Sequence, residues 1–420
     1  MSEAKRHHYI PQFILKNFLD NKGQVFYWDI EKEVLEKRNP RSIFMNFDMY
    51  RDEVNHKDKP TSIESSLAIF EGEIATLIRQ KFLKDNEIII TRSELEALRI
   101  FLSLLSFRSD LRKDQYKNCK FNESTKTLLE KYAKGNFEDL WKREIEILSK
   151  CRTFKDVKES EEIDPIIKTD FMNDIIGFYM TIIEARGGEF LLTDVYPTLE
   201  IFPVRSGVNL HMHCIYPISN KRVLLLNHIM FKPELQGNPL AEEMRRISQI
   251  KGDMIMPPKN KYKISRQFLS SEDQYIYKVR KIYAPDIEYI NALLLNEARI
   301  GVMFTNVDSI QQSVIQFNRR KDTKKGYAIL EKEIESVITE WSRIHRSVSA
   351  DGSGIPPCHI GIDAAFIQKY QLCGIVPKHT LFPISAFLPH IGNAPVRWHG
   401  EISFCRHSPA SEQLYAQFHR

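Results

Sequence analysis

Apolar residues recur at helical spacing through the first third of the chain. Ile63, Leu67, Phe70, Ile74, Leu77 and Ile78 mark one stripe, which predicts an amphipathic helix from Ser62 to about Leu83. Thr61 with Glu64 reads as its capping box. Leu95, Leu98, Phe101, Leu102 and Leu105 mark a second stripe, which predicts a helix from Ser93 to about Leu111 with Ser93 and Glu96 as its box. Helical patterns recur at about 123–150 and 165–185, on either side of the charged stretch 152–164. In other segments strand signals replace the helical spacing. Gln24–Asp29 and Glu33–Lys37 read as two short strands around a turn. Glu189–Thr193, Leu199–Phe202, Leu210–Tyr216 and Arg222–Leu226 read as strands divided by proline and glycine turns. Helices return at about 239–251, 271–283 and 286–300, with Pro285 breaking the last two apart, and again from Tyr327 to Arg346.

This order predicts an α+β protein. It has a helical N-terminal half with a small β-hairpin, a central antiparallel sheet region, further helices and a distinct tail. The expected divisions are 1–160, 161–346 and 347–420, the last sparse in charge and rich in Pro, Gly, Ser, Cys and His.

Composition narrows the function classes. With 42% hydrophobic residues among 420, the chain can bury a substantial core. It has no apolar run of membrane-spanning length and no signal-peptide core, so the expected location is the cytoplasm, with no membrane partner. A net charge of +5 leaves nucleic acid open as a partner. The basic clusters at Arg319–Lys325 and Lys259–Lys263 read first as solvated loops. None of the six cysteines forms a C-x-x-C pair, so neither a structural zinc site nor a thioredoxin-like motif is supported. The P-loop, the dinucleotide fingerprint and the G-x-S-x-G elbow are all missing.

Candidate chemistry gathers in three places. Arg6-His7-His8-Tyr9-Ile10-Pro11-Gln12 presents two imidazoles before a proline that biases Ile10 to be extended and suits a helix start. Glu64 and Glu71 lie seven residues apart on one predicted helix and so point the same way. Such a pair can bind a divalent metal, magnesium or manganese, or act as a general base. Arg108 continues the apolar face of the second helix, and a guanidinium aimed into a core requires a carboxylate or a phosphate. The short connection makes the two helices antiparallel neighbours, which sets the glutamates level with Arg108. The expectation is therefore a hydrogen bond from Arg108 to Glu64 or Glu71, with a histidine lining the same cavity. Weaker candidates are His211 with His213, which share one strand face, and Asp194 at a strand end.

RHHYIPQFILKNF resembles the HHYxPQFxLxxF opening of a bacterial family classed as a domain of unknown function, whose members occur as single-gene anti-phage systems. Further resemblances follow in order around Tyr50, Ile63-Glu64 through Phe70-Glu71, Arg108 and Phe190–Asp194, covering about residues 5–300. In the last block the family's F-[LI]-T-S-D-x-P becomes LLTDVYP, without the serine. The resemblance implies phage defence with a phage-encoded trigger, and no settled chemistry. The residues favour a nuclease, with His7, His8, Glu71 and Arg108 catalytic and Gln12, Tyr50, Glu64 and Asp194 contacting substrate. HHYIP is also similar to the HHxxP opening of His-metal-finger nucleases, but the later Asn and helical His are represented only by Asn46, Asn55 and His56 in a loop. The alternatives are a non-catalytic sensor and a purely structural cluster. Cofactor and oligomeric state stay open.

Overall fold

The computed structural model describes residues 6–133, 135–203, 209–250, 252–255, 257, 270–319 and 327–350. Its first strand, β1 (Arg6–His8), leads through Pro11 into a short helix, α1 (Gln12–Lys16). Ile10, Ile14, Leu15 and Phe18 are fully buried, so the opening motif is anchored as core. β2 (Val25–Asp29) and β3 (Val34–Arg38) form the expected hairpin. β4 (Met45–Phe47) then pairs antiparallel with β1, setting Asn46 opposite His7.

α2 (Ser62–Leu77) buries the expected stripe and then loosens into π-type geometry over Ile78–Phe82. The side chain of Thr61 caps nothing, so the capping box expected there does not form and Glu64 is left for other contacts. β5 (Glu87–Thr91) runs directly into α3 (Arg92–Phe107). The box sits at Thr91 and Glu94, not at Ser93 and Glu96. Thr91 ends a strand, so its extended backbone already has the geometry of an N-cap. α3 stops short of Leu111 because Ser109 accepts from the Arg112 N–H and starts a new helix, α4 (Asp110–Lys117).

Next come α5 (Glu123–Leu129), α6 (Phe137–Lys150), α7 (Phe154–Glu159) and α8 (Pro165–Ile176). The helix expected over 165–185 ends at Gly177, and Phe178–Ala185 is a strand, β6. β6 is buried on nearly every residue, which erases the alternation that identifies a half-exposed strand. β7 (Leu192–Thr193), β8 (Thr198–Pro203), β9 (Asn209–Pro217), β10 (Arg222–His228) and α9 (Pro239–Ile247) follow. The helix expected over 271–283 is replaced by β11 (Gln274–Lys278) and β12 (Arg280–Ile282). Tyr275, Ile276 and Tyr277 suit a strand, and β11 pairs with β5 across a long sequence separation. α10 (Ala284–Glu297), β13 (Gly301–Phe304), α11 (Val307–Asn318) and α12 (Ala328–Ala350) complete the described chain.

The main sheet has the order β12-β6-β10-β9-β8, antiparallel except for β12 on β6. A second sheet, β3-β2-β13-β7, places Val302 opposite both Trp28 and Thr193. Hydrogen-bonded pairing thus crosses the division expected at residue 160. Gly301 allows β13 to approach, since a Cβ there would fall 2.1 Å from the Tyr27 hydroxyl. The helical half packs one apolar cluster around Phe70, Phe101 and Trp141; α10, α11 and β13 build another around Phe304 and Phe317. These findings make the chain α+β. No helix among the described residues is long and apolar enough to cross a membrane. The tail beyond Ala350 and the basic residues at 259–263 and 320–325 lie outside the described residues.

Candidate functional site

The α2–α3 pair does bring Glu71 and Arg108 together. Arg108 ends α3, is 0% exposed, and its Nη2 donates to Glu71 Oε1 at 2.6 Å. Its Nε and Nη1 are also sealed from solvent, and they have no hydrogen-bond partner. The guanidinium lies 5.9 Å from the Tyr50 ring centroid, while the Tyr50 hydroxyl donates to the Arg108 carbonyl at 3.1 Å. Burial opposes the charge on Arg108, and Glu71, Tyr50 and Glu64 together more than offset it.

Glu64 lies two turns earlier on the same helix and makes no hydrogen bond. Burial, reinforced by the charge of Glu71 and opposed by Arg108, pushes its carboxyl up to about 7. Two like charges beside one guanidinium cannot both ionise at full strength, so one acid is held near neutrality. Such a group can both take and return a proton near neutral pH.

The two histidines part company. Consecutive strand residues face opposite sides of the ribbon, and β1 follows that rule. His7 turns inward, 1% exposed, with its ring stacked on Tyr50 at 5.6 Å and 14°. The Tyr50 N–H donates to His7 Nδ1 at 2.9 Å, so Nδ1 carries the lone pair and a neutral ring carries its proton on Nε2. His8 turns toward the Pro40–Arg41 turn, and its Nδ1 meets Gln12 Nε2 at 3.3 Å. Burial lowers its proton affinity, with the charges of Arg108 and Arg6 adding to the effect and the Pro40 and Arg41 carbonyls opposing it. The structure therefore brings Tyr50, Glu64, Glu71 and Arg108 into one cluster with His7 behind Tyr50, and it directs His8 and Gln12 elsewhere.

Asp110 joins the edge of this cluster without having been singled out in the sequence. Asn46 Nδ2 donates to its Oδ1 at 2.5 Å, and burial raises its carboxyl despite Lys113 and Asn46. Ser109-Asp110 reads only as a helix start, which conceals the contact to β4. His56, the other loop candidate, bonds its Nε2 to Glu146 instead.

Asp194 stands apart. Its Oδ1 accepts the backbone N–H groups of Arg299, Ile300 and Gly301 at 2.8, 3.0 and 3.2 Å, holding the turn before β13. Asp194→Ala should lower unfolding free energy by about 2–3 kcal/mol, as lost charge-assisted bonds leave buried donors unmatched. Urea denaturation of the two proteins reads this directly, and an unchanged midpoint would refute it. His213 is equally committed, to Asn227 through Nδ1 and to Ser248 through Nε2. Among the described residues no group of three or more His, Cys, Asp or Glu is placed to hold a metal ion. Glu64 and Glu71 offer at most two ligands.

A family model described as a protein of unknown function, DUF4238, matches residues 6–308, starting at the arginine of the opening motif and ending within α11. No curated protein and no solved structure matches the chain.

Proposed function

The chain belongs to the DUF4238 family, and we propose that it is a phosphodiester-cleaving enzyme of phage defence whose proton-transfer group is Glu64. One observation carries this reading: a carboxyl poised at about 7 beside a buried guanidinium with two unmatched N–H groups. The defence setting rests on the resemblance of the opening motif.

In this reading Glu71 occupies the position of the substrate. Its carboxylate, 25% exposed against 1% for Arg108, is an anion that a phosphate oxygen can displace. Arg108 then neutralises charge developing on phosphorus, and ionised Glu64 takes the proton from the attacking hydroxyl or water as the P–O bond to the leaving group breaks. Protonated Glu64 returns that proton to the leaving oxygen. His7 and Tyr50 hold Arg108 in place and do not touch the reacting atoms.

A second reading, a sensor without turnover, is favoured by the complete burial of His7 and Arg108. Incubating the purified protein with DNA, tRNA and total RNA, with and without magnesium or manganese, separates the two. Cleavage by the wild type, and protection from phage by wild type but not by Glu64→Gln, is expected. Equal protection by both proteins, with no cleavage of any substrate, would leave the sensor.

A further inference from the structure

The charged stretch 152–164 ends in a buried junction that the Glu64–Arg108 cluster does not use. Its last residue, Asp164, is 1% exposed and caps α8, with Oδ1 accepting the Ile166 and Ile167 N–H groups at 2.8 and 3.1 Å. The Asp164 N–H donates in turn to Glu144 Oε2 on α6 at 3.1 Å, and Glu144 is 0% exposed. Glu144 Oε1 accepts from Arg143 Nη2 at 2.9 Å. One buried carboxyl thus holds the start of α8, and a second, on α6, holds the first.

The charges at this junction do not balance. Two buried acids face one cation, Arg143, which also turns Nη1 toward the Tyr132 carbonyl. Asp164 Oδ2 is sealed from solvent and has no donor. A buried carboxylate oxygen without a donor is costly, and a second negative charge beside it raises that cost. One proton removes both penalties. On either carboxyl it leaves one negative charge against one cation, and it supplies the hydrogen that Oδ2 lacks.

We propose that Asp164 and Glu144 share one proton, and that this proton latches the start of α8 to α6, so that the junction opens as the pH rises. Burial pushes Glu144 up to about 7, with the charge of Asp164 adding and Arg143 and the Asp164 N–H opposing. Burial also raises Asp164, against its two capping N–H groups and Arg143. The two acids titrate as a unit. Tyr116 faces the pair from α4, next to Arg112 and Asp170, and burial raises its phenol far enough to keep it neutral. A carboxyl raised in the folded state stabilises it fully below the ordinary carboxylate range, and that contribution is lost as pH rises through about 7.

The release is local. Val157 and Ile163 stay buried in the core, and Lys168 Nζ donates to the Ser160 carbonyl, so the connection keeps its other anchors. What the latch governs is the first turn of α8 and the residues leading into it.

Hydrogen–deuterium exchange of the full-length protein at pH 5 and pH 7.5 tests this, read over residues 160–168 and corrected for the intrinsic rate. Opening of that segment should rise at least roughly tenfold between the two pH values in the wild type. Asp164→Asn keeps the capping oxygen and places a permanent donor at the unmatched position, so its opening should change by less than about twofold. Glu144→Gln cannot ionise and should be equally flat, and either variant carries the test alone if the other fails to fold. The start of α3, capped by Thr91 and Glu94, has no such pair and should show no rise in any of the proteins. A flat wild type would overturn the proposal. So would a rise that persists in either folded variant, or an equal rise at the start of α3.

Discussion

Replacing Arg108 with alanine is expected to lower the unfolding free energy by about 3–5 kcal/mol, the cost of breaking one side of a buried ion pair. Its side chain is 1% exposed, so the substitution both opens a cavity beneath Tyr50 and leaves Glu71 without its cation. Arg108→Met should cost clearly less. Methionine fills much of the same stem volume and also removes the Nε and Nη1 donors that are already unmatched. Glu71→Gln should cost less again, because Glu71 is a quarter exposed and its amide can still accept from Nη2. Urea denaturation of the three variants gives this order. Equal losses for alanine and methionine would mean that the charge alone matters, and no loss for alanine would mean that the pair contributes nothing to the fold.

The second large effect concerns Glu64→Gln. If Glu64 transfers the proton, cleavage should fall by about 10²–10⁴-fold, the usual contribution of a positioned acid or base. The wild-type rate should rise with pH through about 7 as Glu64 ionises, and the variant's residual rate should lack that limb. Stability moves in the opposite sense. A carboxyl whose folded-state value is raised above its unfolded value stabilises the fold fully at low pH, and that contribution is lost as pH rises through about 7. Glutamine cannot ionise, so the variant should gain on the wild type in denaturant midpoint between pH 5 and pH 8. Single-turnover cleavage and urea melts across this range are read together. Intact cleavage would remove Glu64 from catalysis, whereas an unchanged difference in midpoint would dispute its burial.

Much of this arrangement can be read from residue order, and the parts that cannot share a physical cause. The stripe of α2 is legible because that helix buries one face, whereas α3 shows its stripe and the guanidinium at Arg108 although Leu98 to Leu105 are buried all round. Their junction followed from a short connection and the cost of an unpaired buried charge, and Arg108 does reach Glu71. The placements of Glu64 and His8 are hidden by local rules that tertiary context overrides. Thr61 and Glu64 have capping-box spacing, but the side chain of Thr61 bonds no backbone N–H. Adjacent histidines look like a pair, but a strand sends neighbours to opposite faces. The sequence of β6 and β11 reads as helix for a related reason. Burial on both faces removed the alternation of β6, and the partner that makes β11 a strand is β5, far away in sequence.

That last kind of pairing shapes how the polypeptide is made. β2 is complete at Asp29 but cannot close its second edge until β13 is available, which begins at Gly301. At ordinary elongation rates the ribosome takes on the order of 15–50 s to cover that distance. During this interval the hairpin presents an unpaired row of backbone groups, with Phe26 and Trp28 still lacking the cover of Phe304 and Val302. An open strand edge of this kind is a place where other extended chains can pair. Release fragments that stop before residue 301 should aggregate more readily than those that extend past Phe304.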